Sequence, residues 1–152
     1  MHQINHRIGI KAPAAQVYDA LTSLGGLSCW WTEEVTGDGK LGGTIDFRFR
    51  TNTGEVLGGM LMKVEELQPD VKVGWECVGG PEEWIGTRIG FELSPAEGQT
   101  IVRFHHSDWP SASDHAAHCS MKWATFLLSL REYVETGKGR PAPHDMKIDD
   151  WN

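Results

Sequence analysis

Between residues 45 and 106 the chain alternates apolar and polar side chains in run after run, and a single long amphipathic segment follows. Ile45, Phe47 and Phe49 interleave with Asp46, Arg48 and Arg50, and Met60, Met62 and Val64 with Leu61, Lys63 and Glu65. Val71, Val73, Trp75 and Cys77 alternate with Lys72, Gly74 and Glu76; Thr87, Ile89, Phe91 and Leu93 with Arg88, Gly90 and Glu92; Val102, Phe104 and His106 with Ile101, Arg103 and His105. A period of two belongs to strands with one covered and one wet face. The turn-forming stretches Thr51–Gly54, Gln68–Asp70, Gly79–Pro81 and Ser94–Gly98 separate these runs. Such a meander is antiparallel and needs something to cover its apolar face.

The cover comes last. Trp123, Phe126, Leu127, Leu130 and Val134 recur at helical spacing, so residues 113–136 are predicted to form one helix. Ser111 with Asp114 reads as its N-terminal cap, and Gly137 as its stop, with Lys138 and Arg140 near the negative end. At the other end of the chain, Ile4, Ile8 and Ile10 mark a first strand. Pro13 then opens a short helix through Val17, Leu21 and Leu24, which Gly25-Gly26 is expected to end, and residues 27–32 form a second small helix. The expected α+β architecture is a curved antiparallel sheet wrapped around the C-terminal helix. The gap between them, closed at one end by the helices near residues 13–32, is where a ligand would sit. The tail after Arg140 is expected to be ordered only by docking.

At 152 residues there is room for one domain, 1–152, with one core. A net charge of −7 with no Lys/Arg run disfavours nucleic acid. Cys29, Cys77 and Cys119 are too few and too scattered for a disulfide framework, and read as thiols in a reducing compartment. With no leader-like stretch and no run of about 18 apolar residues, the expectation is a cytoplasmic protein without a membrane span.

The order of one strand, two short helices, six strands and a long helix resembles the helix-grip fold of the START-like (SRPBCC) superfamily. Local signatures are similar to its activator of heat-shock chaperone ATPase homologue-like branch. They are Ala12-Pro13 with Val17-Tyr18 and Ala20-Leu21-Thr22, then Trp30-Trp31-Thr32, Gly42-Gly43 before Phe47, and Val73-Gly-Trp75. Trp84-Ile-Gly-Thr87 before Phe91-Glu-Leu93, Phe104-His-His106, Trp109, and Trp123 to Gly137 complete the set. The resemblance spans nearly the whole chain and implies an apolar cavity, on a scaffold that hosts lipid carriers, cyclases, hydroxylase domains and co-chaperones.

Seven Trp and five Phe are many for so small a core, and each indole N–H needs a partner. Trp30, Trp31, Phe47, Phe49, Trp75, Phe91, Phe104 and Trp123 are therefore the expected walls of a pocket for a small hydrophobic or aromatic, lipid- or polyketide-like ligand. Phe126 and Leu127 of the helix stripe and the adaptable Met60 and Met62 join them. Alternation aims His106 into the same pocket, where it would orient a ligand oxygen or, in a cyclase or hydrolase, act as general acid or base. His105, His106, Asp108, His115, His118 and Cys119 form a metal-capable cluster, but their spacing fits no known site, and no metal or cofactor is expected. No serine-elbow or phosphate-loop motif occurs. The outward charges Asp46, Arg48, Lys63, Glu65, Lys72, Glu76 and Arg88 argue against an adaptor surface, so the expected order is binder, then enzyme, then protein-interaction module. A homodimer stays open.

Overall fold

Seven antiparallel strands lie in the order β1-β7-β6-β5-β4-β3-β2 in a computed structural model that describes residues 1–152. β1 (His2–Ile10) pairs with the last strand and forms one edge of the sheet, while α1 (Ala14–Thr22) and α2 (Leu24–Trp30) intervene before the meander. The meander is β2 (Glu34–Gly37), β3 (Thr44–Arg50), β4 (Val56–Gln68), β5 (Lys72–Gly79), β6 (Arg88–Ala96) and β7 (Gln99–Trp109). The long helix α3 runs Asp114–Thr136.

The alternation predicts the faces. Ile45, Phe47, Met62, Val64, Val73, Trp75, Cys77, Ile89, Phe91, Leu93, Val102, Phe104 and His106 are all buried. Their neighbours carry surface ion pairs: Arg50 with Glu34, Lys72 with Glu66 and Glu92, and Arg88 with Glu65, Glu76 and Asp108. Register shifts in β3–β4 between Phe49 and Arg50, and in β4–β5 at Leu61/Met62 and Val64/Glu66, mark bulges. A bulge adds an unpaired residue that bends its strand and sharpens the twist, which curves this sheet around α3. Close approach within the sheet needs Gly90, because a Cβ there would meet the His105 ring at 2.3 Å.

Four local expectations are corrected. Gly25-Gly26 does not end a helix but lies inside α2, whose cap is Ser23 accepting from the Gly26 N–H at 3.0 Å. A Cβ on Gly26 would sit 2.9 Å from the Ala20 Cα, so glycine is there to let α2 press against α1. The cap of α3 is Ser113 rather than Ser111; its Oγ accepts from the Ala116 N–H at 3.1 Å. No basic residue falls in the last turn of α3; Arg140 reaches back to Glu132 at 3.2 Å instead. Val71 lies outside β5 and is exposed, since the chain is still turning at Asp70, which has φ 64°. Gly137 does stop α3, in the left-handed region at φ 88°.

The tail docks as expected of it. Ala142 forms a parallel bridge with Thr32, donating its N–H to Trp31 O at 2.8 Å and accepting from Glu33 N–H at 3.1 Å. Arg140 N–H donates to Ser129 Oγ, which donates in turn to Trp30 O. These contacts carry the last dozen residues across one end of the gap between sheet and helix.

Candidate functional site

The concave face divides into a packed part and an open part. In the packed part, Trp31 lies at ring-centroid distances of 4.3 Å from Phe47, 4.9 Å from Trp123 and 6.0 Å from Trp75. Trp75, Phe91 and Phe104 continue the stack at 5.4 and 5.3 Å. Trp30, Met62 and Leu127 close it from the sides, and the Trp30 N–H donates to Ala20 O at 2.8 Å. These aromatic rings fill space rather than enclose it.

His106 belongs to this packed part, which corrects the expectation that it faces a ligand. It is wholly buried; Trp123 Nε1–H donates to its Nδ1 at 3.1 Å, and its Nε2 lies 2.8 Å from Thr87 Oγ1. The indole can only donate, so Nδ1 is unprotonated and Nε2 carries the hydrogen toward Thr87. Thr87 Oγ1 then donates to Trp84 O at 2.5 Å. Both imidazole nitrogens are thus committed to protein. Burial, with smaller contributions from His105 and His115, pushes its pKa down to about 3, so the ring stays neutral. Neither a free lone pair nor a proton is left for acid–base work at neutral pH. Beside it, Trp109 is fully buried with an indole N–H that finds no acceptor.

The open part is a cavity of about 330 Å³ between the β3–β4 end of the sheet, the 81–84 turn, α3 and the tail. Of the residues expected to line a pocket, Trp31, Phe49, Met60, Trp123 and Phe126 do line it. Trp30, Phe47, Met62, Trp75, Phe91, Phe104, His106 and Leu127 lie behind that wall. Trp84, Leu57, Gly58, Gly59 and Pro81 complete the apolar side.

Its polar side was not anticipated. Lys122, 8% exposed, sits on the apolar stripe of α3 and donates to Asp145 of the tail and to Met146 O at 2.8 Å. Its ammonium also lies 5.3 Å from the Phe126 ring centroid. Asp145 is held from its other oxygen by Lys147 at 3.1 Å. Burial would raise the Asp145 pKa, but the bonds and charges of Lys122 and Lys147 outweigh it and hold the carboxyl below its ordinary value. One turn away, His118 Nδ1 meets Asp149 at 2.7 Å, which together with the backbone bonds of Trp151 and Asn152 holds that carboxyl low as well.

The histidines weighed for metal binding are dispersed by these partners. His115 lies between Trp84 Nε1–H at 3.3 Å and Glu83 at 3.4 Å, His105 lies over Gly90, and Asp108 turns to Arg88 rather than to α3. No three His, Cys, Asp or Glu side chains converge at metal-binding distance. Burial pushes the Cys119 thiol on the cavity wall up to about 12, so it is no nucleophile.

The model of the family described as activator of Hsp90 ATPase homolog 1-like protein matches residues 11–135, from the end of β1 to the last turn of α3. The chain belongs to that family. Among solved structures of this fold, the Aha1 dimer from Colwellia psychrerythraea is 49% identical, covering 91% of this chain and all of that one, with a TM-score of 0.79. Protein CV1439 from Chromobacterium violaceum is 20% identical over 89% of this chain and 99% of its own, with a TM-score of 0.74. CalU16 from Micromonospora echinospora is 19% identical over 97% and 75%, with a TM-score of 0.73. The helix-grip architecture of the START-like superfamily is common to all. No curated protein matches the chain. No helix is long and apolar enough to cross a membrane.

Proposed function

We propose that this protein binds a small, largely apolar ligand with an aromatic body in the cavity between β3–β4 and α3. The observation that carries the reading is the cavity itself. About 330 Å³ remains beside a core that elsewhere is filled, and its wall is Trp31, Phe49, Trp84, Trp123 and Phe126. Large apolar side chains are normally packed to exclude such space, and pockets of this kind with a few placed polar groups are the usual seat of small ligands. Binding rather than catalysis is favoured because His106 is locked into the core and Cys119 is held as a thiol.

N-phenyl-1-naphthylamine, a neutral apolar fluorophore, tests the reading by titration. One saturable site is expected, lost in Met60→Trp, whose larger side chain fills the cavity, and unchanged in the outward Arg88→Ala. No saturable binding, or binding indifferent to Met60→Trp, would defeat it.

A second, compatible reading is self-association. The relative that is 49% identical is described as a dimer, and Val56, Leu57, Leu61, Val78 and Ile85 are exposed apolar residues here. Sedimentation equilibrium at micromolar concentration would return twice the chain mass, and a monomer would end this reading. We further read residues 1–152 as one domain, since 29 buried residues form one continuous core. The three cysteines are free thiols, in keeping with a cytoplasmic protein.

A further inference from the structure

We propose that the ligand is an aromatic acid, its anionic oxygen group seated on Lys122. The inference rests on the cavity reading above and names the chemical class the cavity takes. Lys122 places an ammonium on the wall of an apolar cavity, where an unmatched charge is costly. That ammonium has three hydrogens. Two go to Asp145 and to Met146 O, and the third has no acceptor in the protein.

Asp145 does not neutralise it alone, because its second oxygen belongs to Lys147. Two ammonium groups thus share one carboxylate. Near the rim, Asp149 is engaged by His118 and Glu83 by His115 and Ser113. Among the residues that line the cavity, Asp145 is the one acidic side chain, and both of its oxygens are held by ammonium groups. His118 lines the same cavity but gives its Nδ1 to Asp149, so Lys122 alone supplies the donor. The Phe126 ring under the ammonium and the Trp31 and Trp123 rings beside it would take the aromatic body.

Two probes with the same ring system isolate the charge. N-phenyl-1-naphthylamine is neutral, and 8-anilinonaphthalene-1-sulfonate adds one sulfonate to it. The native protein should bind the sulfonate about tenfold more tightly, one per chain, since a hydrogen bond between charged groups is worth about that factor. Lys122→Met should bring the two affinities level while the neutral probe still binds. Asp145→Asn, which removes the competing carboxylate, should widen the preference, and Met60→Trp should lose both probes. Equal affinities in the native protein, or a sulfonate preference that survives Lys122→Met, overturn the acid assignment while leaving the cavity reading intact. If the neutral probe fails as well, both fall. Should Lys122→Met not fold, an unchanged preference in Asp145→Asn overturns the assignment.

Discussion

The two ends of the concave face are built from the same residue types and behave oppositely. Around His106, aromatic rings pack at 4.5–5.4 Å, with Phe104 on Trp123 and Trp75 on Phe91, and a buried imidazole has a protein partner at each nitrogen. Around Lys122, Trp31, Phe49 and Phe126 wall an open space, and the charge at its edge is held by a tail that arrives from the far end of the chain. The difference shows that abundance of Trp does not itself make a pocket. A pocket appears where aromatic rings meet an element that supplies polar partners instead of more bulk. Here that element is residues 141–152.

Substitutions that treat the two ends alike would break this contrast. Trp75→Ala in the packed end should cost about 3–5 kcal/mol in urea unfolding, and Phe49→Ala at the cavity only about 1–2 kcal/mol, because its ring is half-buried against empty space. Equal losses would mean the cavity is as tightly packed as the core.

Next in size is a pH effect confined to the packed end. The folded pKa of His106 lies near 3, below the ordinary 6.5, so between those values the unfolded chain binds a proton that the folded chain does not. The stability that His106 gives as a neutral ring is complete above about pH 6.5 and declines as pH falls toward 3, at about 1.4 kcal/mol per unit. Native protein should therefore lose about 2–3 kcal/mol more than His106→Gln between pH 6 and pH 4. Parallel pH profiles would show that the ring is not sealed.

The cavity end should respond at lower pH and more weakly. Asp145→Asn should cost about 1–2 kcal/mol at neutral pH, since Lys122 keeps Met146 O and an amide oxygen. In the native protein the depressed Asp145 contributes its full share above about pH 4 and loses it as pH drops through the lower folded value. Smallest of all, Arg88→Ala on the outer face should change stability by less than about 0.5 kcal/mol, because its ion pairs are exposed and long. A larger loss would move part of the stability from the core to the surface.

What the sequence discloses of this molecule follows from the range of the interactions involved. Strands β3 to β7 and α3 are legible because their burial repeats every two or every three to four residues, as with Phe47 and Phe49 or Trp123 and Phe126. β2 is not, since its four residues Glu34–Gly37 carry one apolar side chain and gain their place by pairing with β3. Gly26 misleads because its role is contact with α1, which local sequence does not express. Alternation correctly turns His106 inward, but its partners Trp123 and Thr87 lie 17 and 19 residues away, and only they decide that it serves the core. Lys122 did leave a trace, as a charge on an otherwise apolar helix stripe. Its explanation, Asp145, is 23 residues distant in a segment with no periodicity.

The file of hydrogen bonds from Trp123 through His106 and Thr87 to the Trp84 carbonyl has a consequence for how many structures this sequence can adopt. It ties α3, β7 and the 84–87 turn together through donors and acceptors that match in only one alignment. If β7 slid by one residue against β6, Val102 and Phe104 would turn outward together with His106, and the apolar pattern itself forbids that. A slip of two residues keeps every face, but it carries His106 away from Trp123 and Thr87 and leaves the Trp123 N–H and the Thr87 hydroxyl without their shared partner in a dry interior. Apolar packing tolerates such misalignment far better than a directional chain of bonds does. The imidazole therefore acts as a key to strand registration, and its substitution should broaden the native ensemble, visible as doubled or weakened amide cross-peaks along β6 and β7.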